Sequence, residues 1–481
     1  MDPVASRVHI EAFFDSGVDR NTLGLVYGRR RIGKSTLLEA LTAERGGFYW
    51  EATRGEAAIH LTRLGEALGA HLGTGRLLFT TWEEALGQLA QLGASRPTPV
   101  VLDEFGYLLE ADPTVDSVIA AVLGPGGRRA NRGRSRLVLC GSAIAMMRSL
   151  TAGEAPLRGR AGMELVMQPF DFRAAARQLP ADAGLELAVR VYAVIGGVIG
   201  YATDMVDHDL PEGTEDFDRW VAARVLSPAA TLHHEATTLL AEEPTLSAAS
   251  STMHHSILGA IANGAVTAGT IANQLRRTVS NIDPPLKRLI AAGFVVRHSD
   301  PIRDQRPTYS LADPFLQFHY AILEPHGSLL RDRDPRATWE RRLAATFDSR
   351  VRGPVFEEQA RAWVRRYADA ATLGGSPDIV GPSTATIDGK DCQLDIVIAS
   401  DEGAAAPSER QVLAIGEAKA GETIGTGHLR RLEKARAALG TRAAQAKLLL
   451  CGASFSAEIA AQAGARADVE LVDLDRLYHG S

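Results

Sequence analysis

Cysteine is scarce: the 481-residue chain has three, Cys140, Cys392 and Cys451, far apart and in apolar stretches. They make neither a metal-type spacing nor an even disulfide set, so reduced structural thiols are expected and a disulfide scaffold is excluded. Charge of one sign is lacking too. Lys plus Arg total 52 against 58 for Asp plus Glu, a formal charge of −6 with a pI near 6.1. That balance excludes a nucleic-acid coat or a polycationic membrane binder and leaves room for a local basic face. No apolar run is long enough to span a bilayer; the most lipid-like stretch, Val191 to Thr203, is short and interrupted by glycines. The first residues, Met-Asp-Pro-Val-Ala-Ser-Arg, lack the basic segment and apolar run of a secretory signal. A cytoplasmic protein without a membrane partner is expected.

What is present suits large buried cores: the chain is 45% hydrophobic and 23% charged, and its length suggests about three domains. Apolar runs at Thr22–Tyr27, Gly47–Trp50, Pro99–Leu102, Arg136–Leu139 and Glu164–Met167 alternate with helical patterns. This predicts a mainly parallel sheet covered by helices. From about Leu185 to Glu243 only amphipathic helix patterns occur. Short helices at Ser256–Asn263, Ala268–Leu275 and Asn281–Ala292, then strands at Phe294–Arg297 and Thr308–Leu311, form a winged-helix pattern. The charged stretch Arg331–Arg342, with Pro335 inside it, is the expected boundary. Beyond it, a helix over Val355–Tyr367, paired strands Gln393–Ala399 and Gln411–Ala418, a helix Gly427–Leu439 and strands Lys447–Cys451 and Val469–Val472 make a second α/β unit. The expected divisions are 1–180 for the sheet core, 181–245 for the helical segment, 246–325 for the winged helix and 340–481 for the C-terminal domain.

Gly28-Arg29-Arg30-Arg31-Ile32-Gly33-Lys34-Ser35 follows the first strand and opens a helix with Thr36, the P-loop pattern in the context it requires. Glycines at both ends let successive amide N–H groups converge on phosphate oxygens, and the helix adds the positive end of its dipole. Lys34 is expected on the β- and γ-phosphates and the Ser35 hydroxyl on Mg²⁺. The strand Pro99–Leu102 ends in Asp103-Glu104, where Asp103 would hold Mg²⁺ and Glu104 would polarise the attacking water. The next strand delivers Ser142, either a γ-phosphate sensor or a helix cap. Arg158 and Arg160 are candidates for transition-state charge stabilisation, against a solvated-loop alternative. The run Arg128, Arg129, Arg132, Arg134 and Arg136 reads as a solvated loop or a contact to a nucleic-acid backbone or second subunit. On the winged helix, Ser280, Asn281, Lys287 and Arg288 face either DNA or a protein partner.

In the C-terminal unit, Asp395 is embedded in Leu394-Asp395-Ile396-Val397, and Glu417 and Lys419 share a face of the strand Leu413–Lys419. A hairpin would bring Asp395 beside them, two hard carboxylates able to hold Mg²⁺ or Mn²⁺ next to an ammonium that stabilises a phosphorane. Glu357, on the preceding helix, is the expected fourth member. The alternative is a nuclease-like fold kept for binding, with Glu417 and Lys419 as an ion pair.

The loop from Tyr27 to Ser35, Leu102-Asp103-Glu104-Phe105, Cys140-Gly141-Ser142, Pro156-Leu157-Arg158-Gly159-Arg160 and Tyr192 to Tyr201 together resemble the archaeal-type ATPases of the STAND class, AAA-like P-loop NTPases. The resemblance extends over nearly the whole chain, since many members carry a winged helix and a C-terminal domain similar to PD-(D/E)xK nucleases, matched here by Asp395…Glu417-x-Lys419. Of the two arginines, Arg160 fits that family better. Its Gly-Gly-Val-Pro motif, whose proline lies beside the adenine, reads Gly196-Gly197-Val198-Ile199 here. The implied fold is α/β: a P-loop NTPase parallel sheet with a helical segment, a winged-helix domain and a restriction-endonuclease-like α/β domain. The implied function is a Mg²⁺-dependent ATP-hydrolysing switch controlling a metal-dependent DNA nuclease, with ATP and DNA as partners and assembly into a homo-oligomer or with a regulatory protein. The alternatives are an ATP-regulated DNA- or protein-binding switch whose nuclease-like domain is silent, and a chaperone-like or toxin-related sensor.

Overall fold

In the computed structural model, which describes residues 3–246, 251–304 and 307–481, the first apolar runs form a five-stranded sheet. Its strands are β1 (Thr22–Tyr27), β2 (Phe48–Glu51), β3 (Thr98–Asp103), β4 (Ser135–Gly141) and β5 (Ala161–Val166). They lie in the order β2-β3-β4-β1-β5, every pair parallel. β3 and β4 are buried along their whole length, which is why they read as unbroken apolar runs. Side chains alternate between two cores: Val26, Val101 and Val138 pack with Leu38 and Leu41 on one face, Leu25, Val100 and Leu139 with Leu64 and Leu86 on the other.

The first of these cores continues without a break through the helices Leu185–Ile195 and Thr231–Ala241 into a module of three helices, Ser251–Ala262, Ala268–Gln274 and Val279–Ala291. An antiparallel hairpin, β6 (Val295–His298) and β7 (Thr308–Leu311), follows them. The charged segment around Pro335 is helical. The Asp334 carboxylate accepts the Ala337 N–H at 2.7 Å and Pro335 occupies the first turn, where a missing N–H costs nothing. Trp339 is buried beside Phe318 and Phe347 and donates its indole N–H to Asp218 at 2.8 Å.

The helix Gly353–Arg366 leads to a second sheet, β8 (Ile379–Ile387), β9 (Lys390–Ser400), β10 (Gln411–Lys419), β11 (Lys447–Gly452) and β12 (Val469–Val472), ordered β12-β11-β10-β9-β8. β8, β9 and β10 pair antiparallel, whereas β10, β11 and β12 are parallel. The edge strand β8 was not foreseen, because Gly381 and Pro382 interrupt its pattern; an edge tolerates both. Its hairpin turn is Asp388-Gly389, with φ of 50° and 75°, a geometry that favours this dipeptide. Phe172 and Val189 of the first unit pack into the same core as Phe356 and Trp363, joining the two sheets' units. Among the described residues, no helix is long and apolar enough to cross a membrane.

Candidate functional site

β1 ends at Tyr27, and the chain turns through Gly28–Gly33 into the helix Lys34–Glu44. Gly33 sits at φ 86°, and a Cβ on Gly28 would lie 2.4 Å from the Met167 carbonyl, so neither position accepts a side chain. Lys34 is buried; its Nζ donates to the carbonyls of Gly28 and Arg29, each at 2.8 Å, and so closes the loop on itself. Burial lowers the pKa of this ammonium, against the opposing pull of Cys140, Glu104 and Asp103.

Parallel register brings the ends of β3 and β4 to the same edge, with Tyr27 opposite Gly141 and Leu102 opposite Leu139. Asp103 there accepts hydrogen bonds from the Tyr49 hydroxyl at 2.6 Å and the Glu104 N–H at 2.8 Å, and from the Cys140 thiol and Ser35 hydroxyl. Burial alone would raise its pKa; these donors outweigh it and hold the carboxyl below the ordinary value. The same contact and burial push the Tyr49 phenol up. Glu104 occupies a left-handed conformation, φ 48°, and its carboxylate accepts the Ser142 hydroxyl at 3.1 Å. An ionised carboxylate beside a hydroxyl is the hard-oxygen donor set that suits Mg²⁺.

Arg160 lies away from the loop. It precedes β5, whose Ala161 pairs with Leu23 while Val166 pairs with Tyr27, so it stands at the opposite edge of the sheet. The six strand residues at about 3.3 Å each keep it roughly 20 Å from the loop along the sheet. It is exposed and donates to the Pro156 carbonyl, as Arg158 does to Gly153, so neither serves this chain's own site. Arg136, by contrast, is buried: it donates to the carbonyls of Ser16, Val18, Arg20 and Arg134.

The three arginines of the loop are each held by a carboxylate from outside the sheet. Arg29 pairs with Asp313 at 2.7 Å, Arg30 with Glu242 at 3.0 Å and Arg31 with Glu235 at 2.9 Å. The first pair is buried and has the Phe294 ring 5.8 Å from the guanidinium. Burial raises the pKa of Asp313 and of Glu235, and the facing arginines oppose the rise. Gly200 donates its N–H to the Arg31 carbonyl at 2.9 Å, and Ile199 lies against Gly33. The segment Gly196–Gly200 therefore rests directly on the loop.

In the second sheet, pairing steps from Gly381 opposite Val397 to Ser383 opposite Leu394, so two residues of β9, Asp395 and Ile396, face one of β8, Pro382. This bulge contains Asp395 and re-aims it. The carboxylate accepts the Ala418 N–H and the Lys419 ammonium, both at 3.1 Å, and Lys419 also stands 3.4 Å from Glu417. Arg431, on the helix Thr426–Ala438, donates to the Glu417 Oε1 at 2.9 Å, whereas the buried Oε2 has no hydrogen-bond partner among the described residues. Arg361 donates to the Asp395 carbonyl at 2.7 Å and lies 3.9 Å from Glu357. Burial, with the nearby Asp395 charge adding, pushes the Glu357 carboxyl up to about 7. Glu357 and Asp313 both line a cavity of about 500 Å³ between the first sheet's unit, the hairpin β6–β7 and the second sheet. The orphan Glu417 oxygen fits a bound cation, although among the described residues no three His, Cys, Asp or Glu side chains gather as a metal cluster.

No family model matches the chain. It is 25% identical over 315 residues, 64% of its length, to the uncharacterized protein MJECL04 of Methanocaldococcus jannaschii, and spans 65% of that relative's length. Three solved structures are similar at low scores. The Walker-type ATPase PABY2304 of Pyrococcus abyssi has a TM-score of 0.48 and 21% identity, covering 66% of this chain and 95% of that one. The ORC2 protein of Aeropyrum pernix has a TM-score of 0.39 and 15% identity over 68% and 92% of the two chains. For Cdc6p of Pyrobaculum aerophilum the values are 0.34 and 14% over 68% and 93%.

Lys34, Ser35, Asp103, Glu104 and Ser142 thus meet at one sheet edge, and Asp395, Glu417 and Lys419 meet on the second sheet with Glu357 nearby. Tyr49, Cys140, Arg361, Arg431 and Asp313 are contacts that sequence reasoning missed. Only Arg431 had a local signal, since it follows Lys419 on the next helix and, with Gly427 and Lys434, marks a helix face.

Proposed function

We propose that the chain binds Mg²⁺–ATP at the P-loop Gly28–Ser35 and hydrolyses it, and that the nucleotide state governs a metal-dependent nuclease site at Asp395, Glu417 and Lys419. One observation carries the first half: a lysine, a hydroxyl and two adjacent carboxylates converge where the loop amides and the helix N-terminus point. Lys34 exchanges its two loop carbonyls for phosphate oxygens. Ser35 and Asp103 would hold Mg²⁺, which when bound neutralises charge on the phosphates. Glu104, kept in place by Ser142, orients the attacking water. Lys34→Ala should abolish hydrolysis and Glu104→Gln should trap bound ATP; normal turnover in either variant would overturn the assignment.

In the nuclease half, Asp395 and Glu417 would hold a divalent cation, which when bound activates water. Lys419 faces the phosphate oxygens, and the three-helix and hairpin module, read as a winged helix, offers the helix Val279–Ala291 to DNA. Cleavage of plasmid in Mn²⁺ that disappears in Lys419→Ala supports this half. The second reading, an ATP-governed binding switch that cuts nothing, is favoured by the cations Arg431 and Lys419 already seated on Glu417. Lack of cleavage in every nucleotide state, with ATP turnover intact, selects it.

A further inference from the structure

Beside Glu417 lies an open groove of about 370 Å³. One wall is the turn and start of β9, Ile387 and Lys390 to Cys392; the other is Gly427, Arg430, Arg431 and Lys434. These helix positions are spaced i, i+3, i+4 and i+7, so they share one face. In a chain of net charge −6, the two walls together gather four cations against one carboxylate. That carboxylate, Asp391, is already engaged by the Thr386 hydroxyl at 3.0 Å and faces Arg303 at 3.9 Å. Lys390, Arg430 and Lys434 are exposed and have no carboxylate partner among the described residues. The helix face is about 10.5 Å long at 1.5 Å per residue, which matches about three nucleotides at 3.4 Å each.

Arg431 joins the groove to the buried site. Its guanidinium donates to Glu417 at 2.9 Å, to the Gln393 carbonyl at 3.0 Å and to the Cys392 sulfur at 3.1 Å, while its side chain stays 42% exposed. While it remains on Glu417, a cation arriving there meets a resident positive charge. A phosphate in the groove offers the same guanidinium a two-oxygen acceptor. Two protein carboxylates also leave a hard cation short of oxygen ligands, a deficit that a strand phosphate would supply.

We propose that this groove seats the phosphodiester backbone of a nucleic-acid strand and that Arg431 exchanges Glu417 for a backbone phosphate, so that strand and divalent cation promote each other's binding. The inference rests on reading the Asp395–Glu417–Lys419 cluster as a phosphodiester site. It makes Arg431 a positioning residue.

Cys392 supplies a native reporter, because Cys140 and Cys451 are fully buried. In the full chain with EDTA present, a 12-nucleotide single strand or duplex should slow maleimide labelling of Cys392 at least fivefold. The log–log salt slope should be near −3, about 0.7 per phosphate for four contacts, and fall by about 0.7 in Lys434→Ala. Mn²⁺ binding is then followed calorimetrically in Mn²⁺ without EDTA, using phosphorothioate oligonucleotide, correcting for the oligonucleotide's own uptake and counting the part lost in Asp395→Asn. The oligonucleotide should tighten it about tenfold, and reciprocity requires the same gain for the strand. Arg431→Gln should bind Mn²⁺ about tenfold more tightly without the strand and gain less from the strand than the parent does.

Unchanged labelling, or protection by an acidic peptide and not by the oligonucleotide, removes the groove. Equal Mn²⁺ affinity with and without the strand removes the exchange. Lys419-dependent cleavage with an unprotected Cys392 would keep the nuclease reading and sink this inference; protection without cleavage does the reverse. Lys434→Ala, at an exposed position, keeps the test decisive should Arg431→Gln fail to fold.

Discussion

Replacing Asp313 by Asn removes the charge that faces Arg29 at 2.7 Å, between side chains only 1% and 11% exposed. The substitution keeps the helix cap, since the Phe315 N–H bonds to Oδ1 at 2.9 Å while Oδ2 faces the arginine. An amide NH₂ then confronts a guanidinium between two largely desolvated side chains. Breaking one partner of a buried pair costs about 3–5 kcal/mol, because the remaining charge stays desolvated. At 1.4 kcal/mol per tenfold, the docking of the hairpin module on the P-loop should weaken by about two to three and a half orders of magnitude. Amide hydrogen exchange is the assay: protection over residues 28–33 and 309–317 should fall together, ahead of the second sheet. Adding Arg29→Met removes the stranded charge, so the double variant should recover most of the loss, with a coupling energy of at least about 2 kcal/mol. A single-variant cost below about 1 kcal/mol, or strictly additive costs, would refute the view that this pair is a desolvated clasp.

Arg136→Met removes a donor from four loop carbonyls and should lower stability by about 3 kcal/mol in urea titrations without altering nucleotide affinity; a loss of affinity instead would give Arg136 a role at the site. His319 is buried, and desolvation, with the like charges of His255 and His233 adding, lowers its pKa to about 3. Its folded value lies below its unfolded one, so the neutral ring's share of stability is complete above pH 6.5. That share is lost as pH falls toward 3, by up to about 1.4 kcal/mol per unit. The urea midpoint of the parent should therefore fall relative to that of His319→Leu between pH 7 and pH 4; a constant gap would contradict this.

Local chemistry made much of the first site legible. The run from Gly28 to Ser35 is contiguous, and Asp103-Glu104 ends an apolar strand, so short-range patterning reports their geometry directly. Glu417 and Lys419 were legible for the same reason, being two apart on one strand. β8 is hard to read because Gly381 and Pro382 hide its alternation, although the Asp388-Gly389 turn marks its end. The place of Arg160 is not legible, because a motif states nothing about which end of a strand it stands at.

By itself, the sequence determined the alternation of strands and helices, the phosphate-loop conformation and the residue types at both sites, since backbone preference and hydrophobic period act over a few residues. Only the tertiary structure decided which charge meets which. Arg29 and Asp313, or Arg431 and Glu417, belong to different elements, and their encounter depends on how shared cores pack those elements together. The bulge at Asp395 likewise exists only because β8 and β9 pair out of step, a property of two strands together that neither strand's sequence encodes alone.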